Sequence, residues 1–255
     1  MIMLQLSLLF FAAVLTGIVN SVAGGGSFFA VPAMIFCGIP PVLANTNGTV
    51  VVWPGSAVCI GAYRRELAKI RPTLIIWLVG TSLVGGTLGA TLLLHTQEKI
   101  FIHLLPYFML VATLLFTFGK LITKRLRIRN MADERLSLHI LIGVSVAQFL
   151  LAIYGGFFGG GVGIMMLAVL ALIGMENILM MNALKVLLSV SYNGIAAIVF
   201  IWAHAVMWPT VILMGVGAMI GAYAGAYVAR KIDQKWIRYF VSFVGVAMTC
   251  YFFVR

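Results

Sequence analysis

Three consecutive glycines, Gly24-Gly25-Gly26, sit inside an otherwise apolar stretch that runs from Gly17 to Pro32. Each glycine weakens a helix by about 1 kcal/mol relative to alanine, so the run interrupts any helix drawn through it. The apolar flanks belong in hydrocarbon, and hydrocarbon cannot satisfy the backbone N–H and C=O groups that such a break exposes. It is tolerated only where protein or a water-filled cavity covers it. The same interruption recurs at Gly159-Gly160-Gly161, again within a long apolar stretch. Matched breaks in two halves of one apolar chain point to a binding site of the secondary-transporter kind.

Composition agrees with a membrane chain. Of 255 residues, 63% are hydrophobic and only 9% are charged, against roughly 25% charged in an ordinary soluble domain. The net charge of +11 does not signal nucleic acid. Apart from Lys185, the basic residues are confined to loops between apolar segments, as the positive-inside rule expects, instead of lining one folded face. No charge precedes Arg64, so residues 2–22 read as a retained membrane segment without the basic start of a signal peptide. Cys37, Cys59 and Cys250 are odd in number and far apart, without disulfide or metal-ligand spacing.

Taken in order, the chain predicts a helix at 3–22 and a shorter one at 28–38, because 35 apolar residues exceed the ~20 of a single crossing. Gly38-Ile39-Pro40-Pro41 ends the second. Further helices are expected at 42–63, 73–94 and 100–119, with a basic loop at 64–71 and a long polar stretch at 120–135. The second half repeats the plan: an apolar stretch at 138–173 broken at 159–161, then 178–202, 209–229 and 236–254. A shift of about 136 positions lays the first glycine triplet on the second, Asn47 on Asn182, Pro72-Thr73 on Pro209-Thr210, and Gly85-xxx-Gly89 on Gly221-xxx-Gly225. Matches in one order, with drifts of one or two residues, define an internal repeat.

Loop charge then sets the orientation. Loop 64–71 is basic while its counterpart 203–208 carries no fixed charge; loop 95–99 is neutral overall while its counterpart 230–238 holds Arg230, Lys231, Lys235 and Arg238. Equivalent loops therefore belong on opposite sides of the membrane. The expected fold is an all-α polytopic membrane protein of two inverted-topology repeats. Each is a glycine-broken hairpin or helix pair plus three membrane helices. Repeat 1 covers residues 1–119, a cytoplasmic basic linker 120–137, and repeat 2 residues 138–255.

These residues resemble the sulfite exporter TauE/SafE family of membrane transporters. The matching pieces are Gly17, Gly24-Gly25-Gly26-Ser27 and Pro32, the polar Asn45-Thr46-Asn47 that follows, and the echoes at 155–161 and 182. The second copy departs from the first, with Val162 at the place of Ser27 and Leu167 at the place of Pro32. The resemblance covers essentially the whole chain. It implies a bacterial cytoplasmic membrane and the transport of sulfur-containing anions such as sulfite or sulfonates.

Among candidate site residues, Lys185 stands out. It lies about seven residues into the apolar segment 179–200, where a lysine costs roughly 2.5–3.5 kcal/mol on insertion scales and marks a functional position by default. It would supply positive charge to an anion; the plain alternative is snorkelling to the membrane surface. Gly24, Gly25, Gly26 and Ser27 open one short helix, and Gly159, Gly160 and Gly161 open the other. Free N–H groups and the positive end of the helix dipole suit such starts to anions, while close helix packing is their structural alternative. Asn45, Thr46, Asn47 and Asn182 are polar residues in membrane segments that either contact a substrate or hold helices together. Gln148, Asn20, Tyr192 and Asn193 are weaker candidates of the same kind. The pairs Gly85/Gly89 and Gly217/Gly221/Gly225 read as packing notches.

No Asp or Glu falls inside a predicted membrane segment, so no carboxylate proton relay is visible. No phosphate loop of the GxxxxGK[ST] kind is present, which leaves an ion gradient or the substrate's own gradient as the driving force. No metal and no cofactor is expected; the partners are a small anion, the bilayer and, where an ion gradient drives transport, a coupling ion. The competing readings are an anion channel, since matched broken helices also build filters, and an intramembrane enzyme, for which no nucleophile–base pair or HExxH motif stands in the sequence. The topology predicts that loops 64–71, 120–137 and 230–238 face the cytoplasm. Cysteines placed at Ala68 and Ala132 should resist an impermeant thiol reagent in intact cells, and ready labelling from outside would reverse the assignment.

Overall fold

The computed structural model describes residues 2–23, 26–125, 138–172, 175, 177–228 and 234–254, and every regular element among them is helical. The first half forms α1 (Ile2–Ala23), α2 (Ser27–Phe36), α3 (Pro41–Ala62), α4 (Arg64–Leu67), α5 (Pro72–Leu94) and α6 (Glu98–Arg125). The second forms α7 (Leu138–Phe157), α8 (Val162–Leu172), α9 (Ile178–Trp202), α10 (Trp208–Val228) and α11 (Gln234–Val254). Pro41 and Pro72 occupy the first turns of α3 and α5, where a missing N–H leaves no intrahelical bond unmade.

Two segments differ from the sequence-based expectation. The basic loop 64–71 contains the one-turn helix α4, closed by Leu67 N–H to the Tyr63 carbonyl (3.0 Å) and Ala68 N–H to the Arg64 carbonyl (3.2 Å). Helix α6 continues six residues past the expected end at 119. Charge ends a membrane segment but not a helix, and Lys, Leu and Arg are good helix formers.

Among the described helices, α1, α5, α9 and α10 are long and apolar enough to cross a membrane. Helix α3 is not among them. Its start, Asn45 to Thr49, is buried in the protein, so these amides and hydroxyls avoid hydrocarbon. Helix α3 lies against α9, and the two run antiparallel: Thr46 reaches Ala205, the Trp53 indole donates to the Val190 carbonyl (3.2 Å), and Cys59 faces Lys185.

The closest packing joins the two halves. Helix α1 lies along α10, and a side chain added at Gly217 would meet Phe10 and Ala13, at Gly221 Val14, and at Gly225 Ile18 and Ser21. The contacts climb together, so α1 and α10 are parallel. Helix α7 lies along α5 in the same way: Gly85 fits under Phe149 and Ala152, Gly89 under Ile153 and Phe157. Each glycine lets backbones approach where a Cβ would strike a carbonyl of the partner helix, the use that small residues have in membrane bundles. Helices α6 and α11 form an antiparallel pair, with Thr117 donating to Ser242 (3.0 Å) and Tyr107 edge-on to Phe253 (5.3 Å).

Buried apolar side chains form two clusters. One gathers α1, α2, α3 and α6 around Phe28, Met34, Phe101 and Phe158; the other gathers α5, α7, α8 and α9 around Leu78, Met166 and Leu184. Helices α5, α8 and α9 contribute to both.

A Cβ on Gly89 or Gly221 would collide with the carbonyl of Ile153 or Val14, whereas one on Gly80 or Gly61 meets nothing within 4 Å. Gly89→Ala and Gly221→Ala should each destabilise the detergent-solubilised protein by about 1–3 kcal/mol. Gly80→Ala and Gly61→Ala should be neutral or stabilising by up to about 1 kcal/mol. Thermal denaturation of the four variants checks this, and equal melting across the set would contradict it.

Candidate functional site

The site begins at the two helix breaks. At the first, Gly24 and Gly25 lie outside the described residues. Gly26 is in the right-handed helical region (φ −58°, ψ −31°) and precedes α2. A Cβ there would stand 2.9 Å from the Asn20 Cβ and 3.0 Å from the Thr16 carbonyl oxygen. Its lack of a side chain thus serves the tight turn of α2 against α1. Ser27, the first residue of α2, is buried, and its hydroxyl makes no hydrogen bond among the described residues.

At the second break two glycines are left-handed, Gly159 (φ 79°) and Gly161 (φ 77°), a conformation that L side chains resist. Helix α7 closes with the N–H groups of Phe158 (2.9 Å) and Gly159 (3.2 Å) both directed at the Tyr154 carbonyl, a glycine stop of the usual left-handed kind. The Tyr154 hydroxyl bridges the gap and donates to the Gly160 carbonyl (2.9 Å). Helix α8 then starts with Ile164 N–H bonded to the Gly161 carbonyl (3.1 Å). The N–H groups of Gly160, Gly161, Val162 and Gly163 have no acceptor among the described residues, as expected of a helix start.

The fold brings the two breaks into contact. A Cβ built on Gly159 would lie 3.3 Å from the Ser27 hydroxyl. Asn45 joins them, its amide donating to the carbonyl of Phe157 at the end of α7 (2.7 Å). That bond satisfies one of the carbonyls a helix leaves open at its C-terminus. The other side of the same amide, Oδ1, is buried without a donor among the described residues.

The remaining candidates lie elsewhere. Thr46 is placed to donate to the carbonyls of Leu43 (2.9 Å) and Ala205 (2.8 Å). Asn47 donates to the Leu43 carbonyl (2.5 Å) and accepts from the Met207 N–H (2.7 Å). Both therefore anchor the turn between α9 and α10, where His204 takes a positive φ of 54°. Asn182 is half-buried near the start of α9 and makes no hydrogen bond among the described residues. Lys185, one turn on and on the same face, is 3% exposed. It has no hydrogen bond or carboxylate partner among the described residues, and the group it faces is the thiol of Cys59. Cys59 and Asn47 are separated along α3 by about 18 Å, at 1.5 Å per residue. Lys185 thus stands at a different depth from the Asn47 anchor, toward the α4 end of the bundle.

Sequence reasoning passed over Tyr154 and Thr16. A tyrosine shortly before a glycine triplet was the available signal for the first. Thr16, whose hydroxyl is buried next to Gly26 without a partner among the described residues, gave none, because threonines in helices commonly bond their own backbone. Two of the weaker candidates are interhelical ties: Asn20 donates to Ser56 and Gln148 to Ser82, each at 2.8 Å.

Comparison with known proteins bears on all of this. The chain is 28% identical over 248 residues to a "Probable membrane transporter protein" of Haemophilus influenzae, covering 96% of this chain and 92% of that one. It is 29% identical over 247 residues to "Probable membrane transporter protein ORF9" of Sinorhizobium, at 95% and 90% coverage. It is 28% identical over 248 residues to "Probable membrane transporter protein YfcA" of Escherichia coli K12, at 96% and 88% coverage. The sequence model of the family described as sulfite exporter TauE/SafE matches residues 9–252, from α1 to α11. The chain is an integral membrane protein that belongs to the sulfite exporter TauE/SafE family.

Proposed function

We propose that this membrane transporter is a secondary carrier of a small sulfur-containing anion, such as sulfite or a sulfonate, across the bacterial cytoplasmic membrane. The observation that carries the anion reading is Lys185, a buried cation without a carboxylate partner among the described residues. A buried charge is normally paired, and an anion on its way through the protein supplies the missing partner. At 4 Å and an effective dielectric of 20 the attraction is about 4 kcal/mol, comparable with the cost of placing the lysine there. The free N–H groups at the start of α8, with the dipole of that helix, offer a second anion-attracting element next to Ser27 and Asn45.

The carrier reading rests on two inverted repeats, residues 1–119 and 138–255, joined by a cytoplasmic linker. The helix directions support it. Helix α1 is parallel to α10, α10 returns from α9, and α9 is antiparallel to α3. Helices α1 and α3 then run the same way, which makes α1–α2 a hairpin that begins and ends on one side. By the same steps α7, parallel to α5, runs opposite to α1. Helix-break sites between inverted repeats serve alternating access in other transporter folds.

Proteoliposomes test the proposal. Purified protein should exchange internal sulfite or sulfonate for external labelled anion, and flux without obligatory exchange would mark a channel instead. Lys185→Met should lower that exchange at least tenfold, equivalent to about 1.4 kcal/mol, with Lys185→Arg retaining more of it. Wild-type exchange by Lys185→Met would remove this residue from the mechanism. The true substrate at 100 times its Kd should stabilise the protein by about 2.7 kcal/mol in a thermal-shift comparison of sulfite, sulfonates, thiosulfate and carboxylates. A carboxylate outperforming every sulfur oxyanion would overturn the substrate class.

A further inference from the structure

Between α3, α9 and α10 the surface opens into a cavity of about 380 Å³. No charged side chain lines it, and the single polar group on its Trp53 wall, the indole N–H, already donates to the Val190 carbonyl (3.2 Å). Its shape follows from two glycines. A Cβ on Gly194 would stand 2.7 Å from the Trp53 indole nitrogen, so glycine there lets the ring pack against α9 where it lines the cavity. Gly215, on the α10 wall, has nothing within 4 Å of the place a Cβ would take. The slot is therefore open where a side chain would otherwise fill it.

The cavity is continuous with the membrane-facing surface. Ile198, Ile201, Ile212, Val216 and Met219 line it and are also exposed on the outside of α9 and α10, two helices long and apolar enough to span the bilayer. What surrounds those helices is hydrocarbon. A second protein helix, about 10–12 Å across with its side chains, is too wide for a space of this volume, whereas one flexible chain fits. Trp208, half-exposed at the first residue of α10, stands at the end beside the α9–α10 turn, where an indole suits the headgroup level.

We propose that this slot is a binding site for one acyl chain of a membrane phospholipid, inserted between α3 of the first half and α9–α10 of the second, with its headgroup at the Trp208 end. Cavities of this size lined by apolar and aromatic side chains are characteristic of ligand sites, and apolar contact area supplies the binding.

Native mass spectrometry of the detergent-purified full chain tests the site. The wild type should retain one phospholipid per chain under activation that strips bulk lipid. Gly215→Phe, which fills the slot from a position with room for a side chain, should lower that occupancy roughly tenfold or more. Gly80→Phe, at an open surface position on α5, should retain it. A second measurement uses phospholipid brominated on its acyl chain: tryptophan quenching should weaken in Gly215→Phe, and in the milder Gly215→Leu should the first variant fail to fold. Equal lipid retention and equal quenching in wild type and filled variants would overturn the site. An adduct with the mass of a free fatty acid, or a dimer that Gly215→Phe dissociates, would overturn the phospholipid assignment.

Discussion

Unsatisfied backbone is the constraint on which this protein depends. In hydrocarbon an N–H or C=O without a partner costs several kcal/mol, yet the chain leaves the helix between α7 and α8. Neighbouring protein answers the second break group by group. Phe158 and Gly159 N–H groups turn back on Tyr154, the Tyr154 hydroxyl takes the Gly160 carbonyl, and Asn45 takes that of Phe157. The N–H groups left over all belong to one helix start, beside the Ser27 hydroxyl. A position that must hold a break, and must cover it, is also where polar groups can be gathered cheaply for an anion.

The polar start of α3 follows from the same constraint. Its three consecutive polar residues stand together in the sequence, either as substrate contacts or as ties between helices, but in space they address two different places. Asn45 holds the end of α7, while Thr46 and Asn47 hold the turn after α9. Successive helix positions point about 100° apart, so adjacent polar residues on a buried helix are suited to tie several elements at once. Interhelical hydrogen bonds in membranes average only about 0.6 kcal/mol, and what these ties contribute is the position of two irregular segments relative to α3.

Much of the fold was legible in the sequence because it is written in local signals. Glycine triplets mark the breaks, the Gly38–Pro41 stretch marks the end of α2, and charged loops mark other ends, so most helix boundaries fall within a few residues of expectation. The notches Gly85/Gly89 and Gly221/Gly225 were recognisable as packing surfaces from their spacing. Their partners were not: nothing local in Gly221 says that it receives Val14 from more than 200 residues away. The site was legible in the same divided way. That Lys185 is an intramembrane cation could be read from its apolar neighbours. That it faces Cys59, and stands apart from Asn47, depends on the antiparallel meeting of α3 and α9. Thr16 and Tyr154 matter through contacts made across a turn, which sequence spacing does not report.

The crossed pairing of α1 with α10 has a consequence for how the protein is made. Helix α1 leaves the ribosome well before the groove that receives it, Gly217-Gly221-Gly225, which emerges roughly 200 residues later. At 5–20 residues per second that is an interval of about 10–40 s. Through that interval α1 must persist in lipid by its own hydropathy, with the Phe10, Val14 and Ile18 face that packs on α10 not yet covered. Helix α7, by contrast, finds α5 already in place when it is synthesised. One of these helices assembles onto a waiting surface, and the other waits for its surface to be built.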